Sequence, residues 1–184
     1  MMGPTGAALL LLTMALVPHA WLEARMMTHM FVQLPLLIAV GVLLGERARV
    51  SRLPALDTTT TVAAFVFVIG IVTTWMIPRA LDAAVEHLLV NAGKVLSLVL
   101  AGAVGRVAWS HATWPVRTFV FGNTAWMTAS AGLLFLETPA RLCTSYGRGE
   151  QQQAGVALMA VTVIAVLMAG SYFFRSAPPP APTP

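Results

Sequence analysis

Six apolar runs, each close to the roughly 20 residues that a helix needs to cross the hydrocarbon of a bilayer, take up most of this 184-residue chain. They lie near residues 4–22, 27–45, 60–77, 83–109, 117–136 and 154–174. A membrane β-barrel would need segments of about 10 residues alternating in polarity, whereas these runs are unbroken. Composition agrees: 58% of residues are apolar and 10% are charged, against about 25% charged in an ordinary soluble domain, and the mean hydropathy is +0.79. The expected fold is all-α, a polytopic transmembrane helical bundle of about six spans. It forms one domain over residues 1–175, and a Pro-rich tail at 176–184 is expected to be extended and disordered.

The first run could also be a signal peptide. No basic segment precedes it, however, and Pro18 spoils the small-residue pattern before Ala20, so it reads as a retained helix. Orientation comes from arginine, which collects in short cytoplasmic loops. Arg47, Arg49 and Arg52 between the second and third runs form the densest basic cluster. Placing that loop in the cytoplasm puts Arg106, Arg117 and Arg175 on the same side. Arg25, Arg79, Arg141 and Arg148 then lie outside, accompanied by Glu23, Asp82, Glu137 and Glu150. Both termini are therefore expected in the cytoplasm of a bacterial inner membrane. The net charge of +4 reflects this asymmetry and the scarcity of acids, and does not point to a nucleic-acid partner.

Within this frame the soft metal ligands gather at one end. Met26, His29, Met30 and Gln33 stand at three- and four-residue spacings, which place them on one helix face. Imidazole with thioether is the set that copper prefers, above all Cu(I). His19 lies across the first outer loop from His29, and His87 is expected about one turn into the fourth span. The plainer reading of His29 is a buried histidine bonded to a neighbour, and of the methionines, core packing. Pro35 lacks an N–H and crowds the carbonyl four residues back, so a bend is expected beside His29 and Gln33. His111 reads as a solvated residue near interfacial Trp109 and Trp114.

The fourth run carries a polar stripe, His87, Asn91 and Lys94, within an arc of about 60° on a helix of 3.6 residues per turn. If the span begins near residue 83, Lys94 lies about 15 Å inside, near mid-membrane, where a charge costs about 2.5–3.5 kcal/mol on insertion scales. Asn123, water along the stripe, or loss of the proton are the expected compensations. Cys143, the single cysteine, falls in the outer loop, either as an incidental residue or as a thiol that could relay a metal or pair with another chain.

His29-Met30 with Gln33 and Pro35, followed by Trp75 and Pro78, His87, Leu142-Cys143-Thr144-Ser145-Tyr146 and Gln151-Gln152-Gln153-Ala154-Gly155, resemble the CtaG-type cytochrome c oxidase assembly factors over about residues 26 to 174. The resemblance implies a multi-helix membrane protein that delivers or inserts copper into a respiratory oxidase. His29 would be the principal ligand, with Met30 and Gln33 its neighbours and His87 a partner from the fourth span. The chain departs from that pattern at Val32-Gln33, where a second histidine is expected. Two other functions compete with copper handling. One is a haem b-binding membrane subunit with His29 and His87 as axial ligands; the other is a structural subunit of a larger membrane complex. An enzyme is not expected, because the sequence offers no Ser/His/Asp set, no carboxylate pair within the spans and no phosphate loop. The expected partners are the lipid bilayer and an oxidase subunit or other membrane complex.

Overall fold

The computed structural model describes residues 4–50 and 56–176. Among these residues every regular element is helical. In chain order they are α1 (Pro4–Leu16), α2 (His19–Glu23), α3 (Met26–Thr28), a π-helical turn (His29–Gln33), α4 (Leu34–Val50), α5 (Thr58–Met76), α6 (Pro78–Glu86), α7 (Leu88–His111), α8 (Trp114–Glu137) and α9 (Arg148–Ser176). Five stretches are long and apolar enough to cross a membrane: Met26–Arg47, Thr58–Met76, Leu88–His111, Trp114–Glu137 and Arg148–Ser171. The chain is an all-α helical bundle. Of the proline-rich tail only Ser176 is described, as the last residue of α9; residues 177–184, like Arg52, lie outside the described residues.

Two of the expected spans differ in extent. The first apolar run breaks at Pro18, whose ring cannot continue the hydrogen-bond ladder, into the 13-residue α1 and the short α2. At about 1.5 Å per residue α1 is only about 20 Å long, yet it belongs to the bundle, since Ala15 is fully buried in the main core with Met26, Leu37 and Leu98. The fourth run breaks at His87, which is extended (φ −125°, ψ 118°). Residues 78–86 form the separate helix α6, with Leu81, Asp82 and Ala84 buried. Glu86 and His87 are consequently exposed and precede the span, rather than lying within it.

The pairing that positions the candidate site is α4 against α7. Gly41 and Gly102 make it possible. A Cβ on Gly41 would strike the Val99 carbonyl oxygen, and one on Gly102 the Ile38 carbonyl oxygen, so the two backbones meet as closely as small residues allow in membrane helix packing. The π-turn sits directly before Pro35. The Leu34 N–H bonds the His29 carbonyl, five residues back, so the ladder has already widened where the proline contributes no donor. At the same end of the bundle, the loop between α8 and α9 folds back over α6. Asp82 holds it by accepting from the Thr144 N–H (2.6 Å), the Thr144 hydroxyl (3.1 Å) and the Ser145 N–H (3.2 Å).

Candidate functional site

Lys94 is the seventh residue of α7, so it lies about 9 Å from the start of that helix, closer to the end than a span beginning near residue 83 would place it. Its side chain is fully buried. Nζ meets three acceptors: Glu23 Oε1 at 2.9 Å, His29 Nε2 at 2.9 Å and Gln33 Oε1 at 3.1 Å. Three acceptors match the three N–H donors of an ammonium. The compensation is therefore Glu23, from α2, and not Asn123, which bonds Met127 Sδ within its own helix.

The direction of each hydrogen bond follows from one group that can only accept. The Glu23 main-chain carbonyl takes the Tyr146 hydroxyl proton at 2.8 Å. The Tyr146 oxygen then accepts from His29 Nδ1–H at 2.7 Å. A neutral imidazole with its proton on Nδ1 has an acceptor at Nε2, and there Lys94 donates. Gln33 closes the set: its Oε1 accepts from Lys94, while its Nε2 donates to Glu23 Oε1 at 3.1 Å and to the Ala15 carbonyl at 3.3 Å. Asn91, one turn before Lys94, donates from Nδ2 to Glu23 Oε1 at 3.4 Å, and its Oδ1 is buried without a partner. Burial pushes the Glu23 carboxyl up, but the hydrogen bond and charge of Lys94, helped by Gln33 and His29, outweigh it and hold the group below its ordinary range.

Tyr146 reaches His29 because its loop is pinned at both sides. Gln151, nearly fully buried at the head of α9, accepts from the Leu142 N–H (2.9 Å) and donates to the Phe135 carbonyl (3.2 Å). Arg141 binds the carbonyls of Thr144 and Tyr146 at 2.8 and 3.1 Å. Burial raises the Tyr146 phenol well above its usual value, with Glu23 adding to the effect, so Tyr146 remains a hydroxyl donor. Cys143 is buried in the same loop, and burial, then Asp82, push its thiol up to about 12. It stays protonated at neutral pH and is neither a nucleophile nor a ready metal ligand.

No protein-family model, curated protein or solved structure matches this chain. The site is therefore read from its own geometry. Of the residues singled out in the sequence, His29 and Gln33 join one network, and Met26 and Met30 are buried in the core cluster that also contains Tyr146 and Cys143. His19 is exposed on α2, with Nδ1 against the Leu16 carbonyl at 3.1 Å, and His87 is exposed at the α6–α7 junction. Both ring nitrogens of His29 are engaged within the protein. Among the described residues, no group of three or more His, Cys, Asp and Glu side chains could hold a metal. A copper ion resident at His29 does not fit this arrangement, because the ammonium of Lys94 stands at Nε2.

Three participants were not expected from sequence: Glu23 as the counter-charge, Tyr146 as the partner of His29, and Gln151 as the loop anchor. Glu23 carried one signal, being an acid that closes an apolar run. Tyr146 and Gln151 lay in a segment whose pattern was visible but whose destination was not.

Proposed function

We propose that this protein is an integral membrane assembly factor for a respiratory oxidase, with copper as its transient cargo at the end of the bundle that carries His29. The observation that supports this reading is a buried Met26-His29-Met30 segment whose imidazole acceptor is opposed by a cation, Lys94 Nζ at 2.9 Å. A site whose ligand nitrogen is held against a positive charge suits passage of a metal better than storage. The chain's own residues do the preparatory work. Tyr146 fixes the imidazole tautomer with Nε2 free of a proton, and the π-turn carries His29 and Gln33 to the same partner on α7. The buried thioethers are the soft ligands that copper favours. The arginine distribution supports an outer-face position for this end in a bacterial inner membrane.

The test is genetic and analytical. In cells lacking the protein, the oxidase is expected to assemble its polypeptides but to be depleted in copper by metal analysis. Wild-type protein restores the copper and His29→Ala does not. An oxidase with its full copper content in the deletion strain ends this reading.

A structural subunit of a larger membrane complex is the second reading. The saturation of the Lys94 network favours it, since each donor of the ammonium and each His29 ring nitrogen is already paired inside the chain. The haem reading has less support, because His87 is exposed outside the span while His29 is buried with both nitrogens bonded.

A further inference from the structure

Helices α8 and α9 meet closely at one end only. Gly132 and Gly155 bring them together there, since a Cβ on Gly132 would stand 3.1 Å from the Gly155 carbonyl oxygen. Away from that crossing, neither residues 114–131 of α8 nor residues 159–171 of α9 include a buried side chain. The two helices border a groove of about 380 Å³, from Thr118 to Thr128 on α8 and from Val161 to Gly170 on α9. A Cβ on Gly122 or Gly170, both in its wall, would meet nothing within 4 Å. The hydroxyls of Thr118, Thr124, Thr128 and Thr162 each donate to the carbonyl four residues back, at 3.0, 2.8, 2.8 and 2.9 Å. Each wall hydroxyl thus directs its proton to its own helix, and a polar ligand would find no free donor in the walls.

Dimensions and charge select the occupant. From Thr118 to Thr128 the groove follows α8 for about 15 Å, half of the roughly 30 Å thickness of the bilayer hydrocarbon. It starts near the end of the bundle opposite the Lys94 network and stops near mid-membrane, the depth of one leaflet. Its volume over that length gives a mean cross-section of about 25 Å². A helix with its side chains is about 10–12 Å across and covers about 80 Å² or more, so it does not enter whole; a chain one carbon thick does. At the mouth, Arg117 stands one residue before Thr118 and Arg175 five residues after Gly170, while residues 114–136 and 151–176 contain no Asp or Glu. Arginines at the edge of the hydrocarbon attract anionic headgroups. We propose that the α8–α9 groove binds an anionic phospholipid of the leaflet on that side, with one acyl chain between the two helices and the phosphate drawn to Arg117 and Arg175. The chain fills the wedge that the Gly132–Gly155 crossing leaves open and supplies packing that the splayed halves of α8 and α9 do not find within the protein.

Full-length protein in mild detergent, mixed with palmitoyl-oleoyl phosphatidylglycerol or the matching phosphatidylcholine, serves for native mass spectrometry. A phosphatidylglycerol with a diazirine on its acyl chain maps the contact. Wild type is expected to retain phosphatidylglycerol about fivefold more than phosphatidylcholine, with crosslinks in residues 118–128 and 161–170. Gly122→Leu/Gly170→Leu places side chains in the groove from two positions that start in open space, and should cut those crosslinks about fivefold. Arg117→Gln/Arg175→Gln should keep the crosslinks and lose the preference for phosphatidylglycerol. Arg175→Gln alone, which leaves the contact of Arg117 with Trp109 untouched, should lower that preference part-way. Crosslinking that the two leucines leave unchanged overturns the proposal, as does equal retention of the two lipids by wild type. A dimer in the spectrum that the two leucines dissociate would assign the groove to a second copy of the chain and overturn it as well.

Discussion

Replacing Lys94 alone and replacing it together with Glu23 are physically different changes. Lys94→Leu leaves a carboxylate that is only 8% exposed facing apolar surroundings, and breaking a buried pair from one side costs about 3–5 kcal/mol. Lys94→Leu/Glu23→Gln removes both charges and should recover most of that loss in a denaturant or thermal titration, since a buried ion pair and a well-packed neutral replacement are often close in stability. A double variant no more stable than the single would show that the network is not organised around this ion pair. Tyr146→Phe deprives His29 Nδ1–H of its acceptor and the Glu23 carbonyl of its donor. Leaving buried groups unpaired costs about 1–3 kcal/mol, measurable as a lower melting temperature in detergent with no change in helix content. His29 and Gln33 were legible as a pair because helical spacing alone puts them on one face. Glu23 was not, because its meeting with Lys94 joins residues 71 positions apart, and because it could be read equally well as a loop acid neighbouring Arg25.

At the scale of the element, the loop between α8 and α9 works as a lid pinned by Asp82, and Cys143 reports on it. The thiol is raised from 9.0 to about 12. For an acid whose folded value is raised, the stabilising contribution is complete below the unfolded value and is lost as pH rises from about 9 through about 12. Native protein should therefore resist alkylation by iodoacetamide at pH 8, and its stability should decline over that alkaline window. Asp82→Ala removes the acceptor of the Thr144 and Ser145 amides, so alkylation at pH 8 should rise by at least tenfold as the loop lifts. Unchanged labelling would mean that Gln151 and Arg141 hold the loop without it. The α4–α7 crossing gives a matched pair of substitutions. Gly102→Val drives side-chain atoms into the Ile38 backbone and should unfold or part the helices. Gly93→Ala, on the same helix with nothing within 4 Å of the added carbon, should be neutral or slightly stabilising. Helix existence was legible here from run length. The breaks at Pro18 and His87 were less so, since only the proline carries a chemical reason to stop; Glu86 and His87 interrupt the apolar run but neither forbids a helix, and Leu81, Asp82 and Ala84 anchor α6 as a separate buried element.

For the whole molecule, the helix order brings α2, the π-turn, α6, the start of α7 and the 138–147 loop to one end, so every group in the Lys94 network enters from that side. That convergence follows from connectivity alone, because successive spans alternate direction, and it was visible once the apolar runs had been counted. Which face of the membrane that end meets depends instead on charge, and arginine supplies the expectation. Arg47, Arg106 and Arg117 mark the opposite end, where Arg106 pairs with Glu46 and Arg117 lies over the Trp109 ring at 5.3 Å. Pairing and stacking anchor these cations at their interface. Arg25, Arg79 and Arg141 share the Lys94 end with the acids Glu23 and Asp82 and give a weaker net bias there, so the expectation from the positive-inside rule is an outward-facing Lys94 end. Reporter fusions decide it. A periplasm-active enzyme joined after Arg79 or Ser145 should be active and one joined after Thr113 inactive, with the opposite pattern for a cytoplasm-active reporter. The reversed pattern would place the Lys94 network on the cytoplasmic side, and with it the whole expectation of an outer-face copper site would fall, while the fold and the ion pair would stand unchanged.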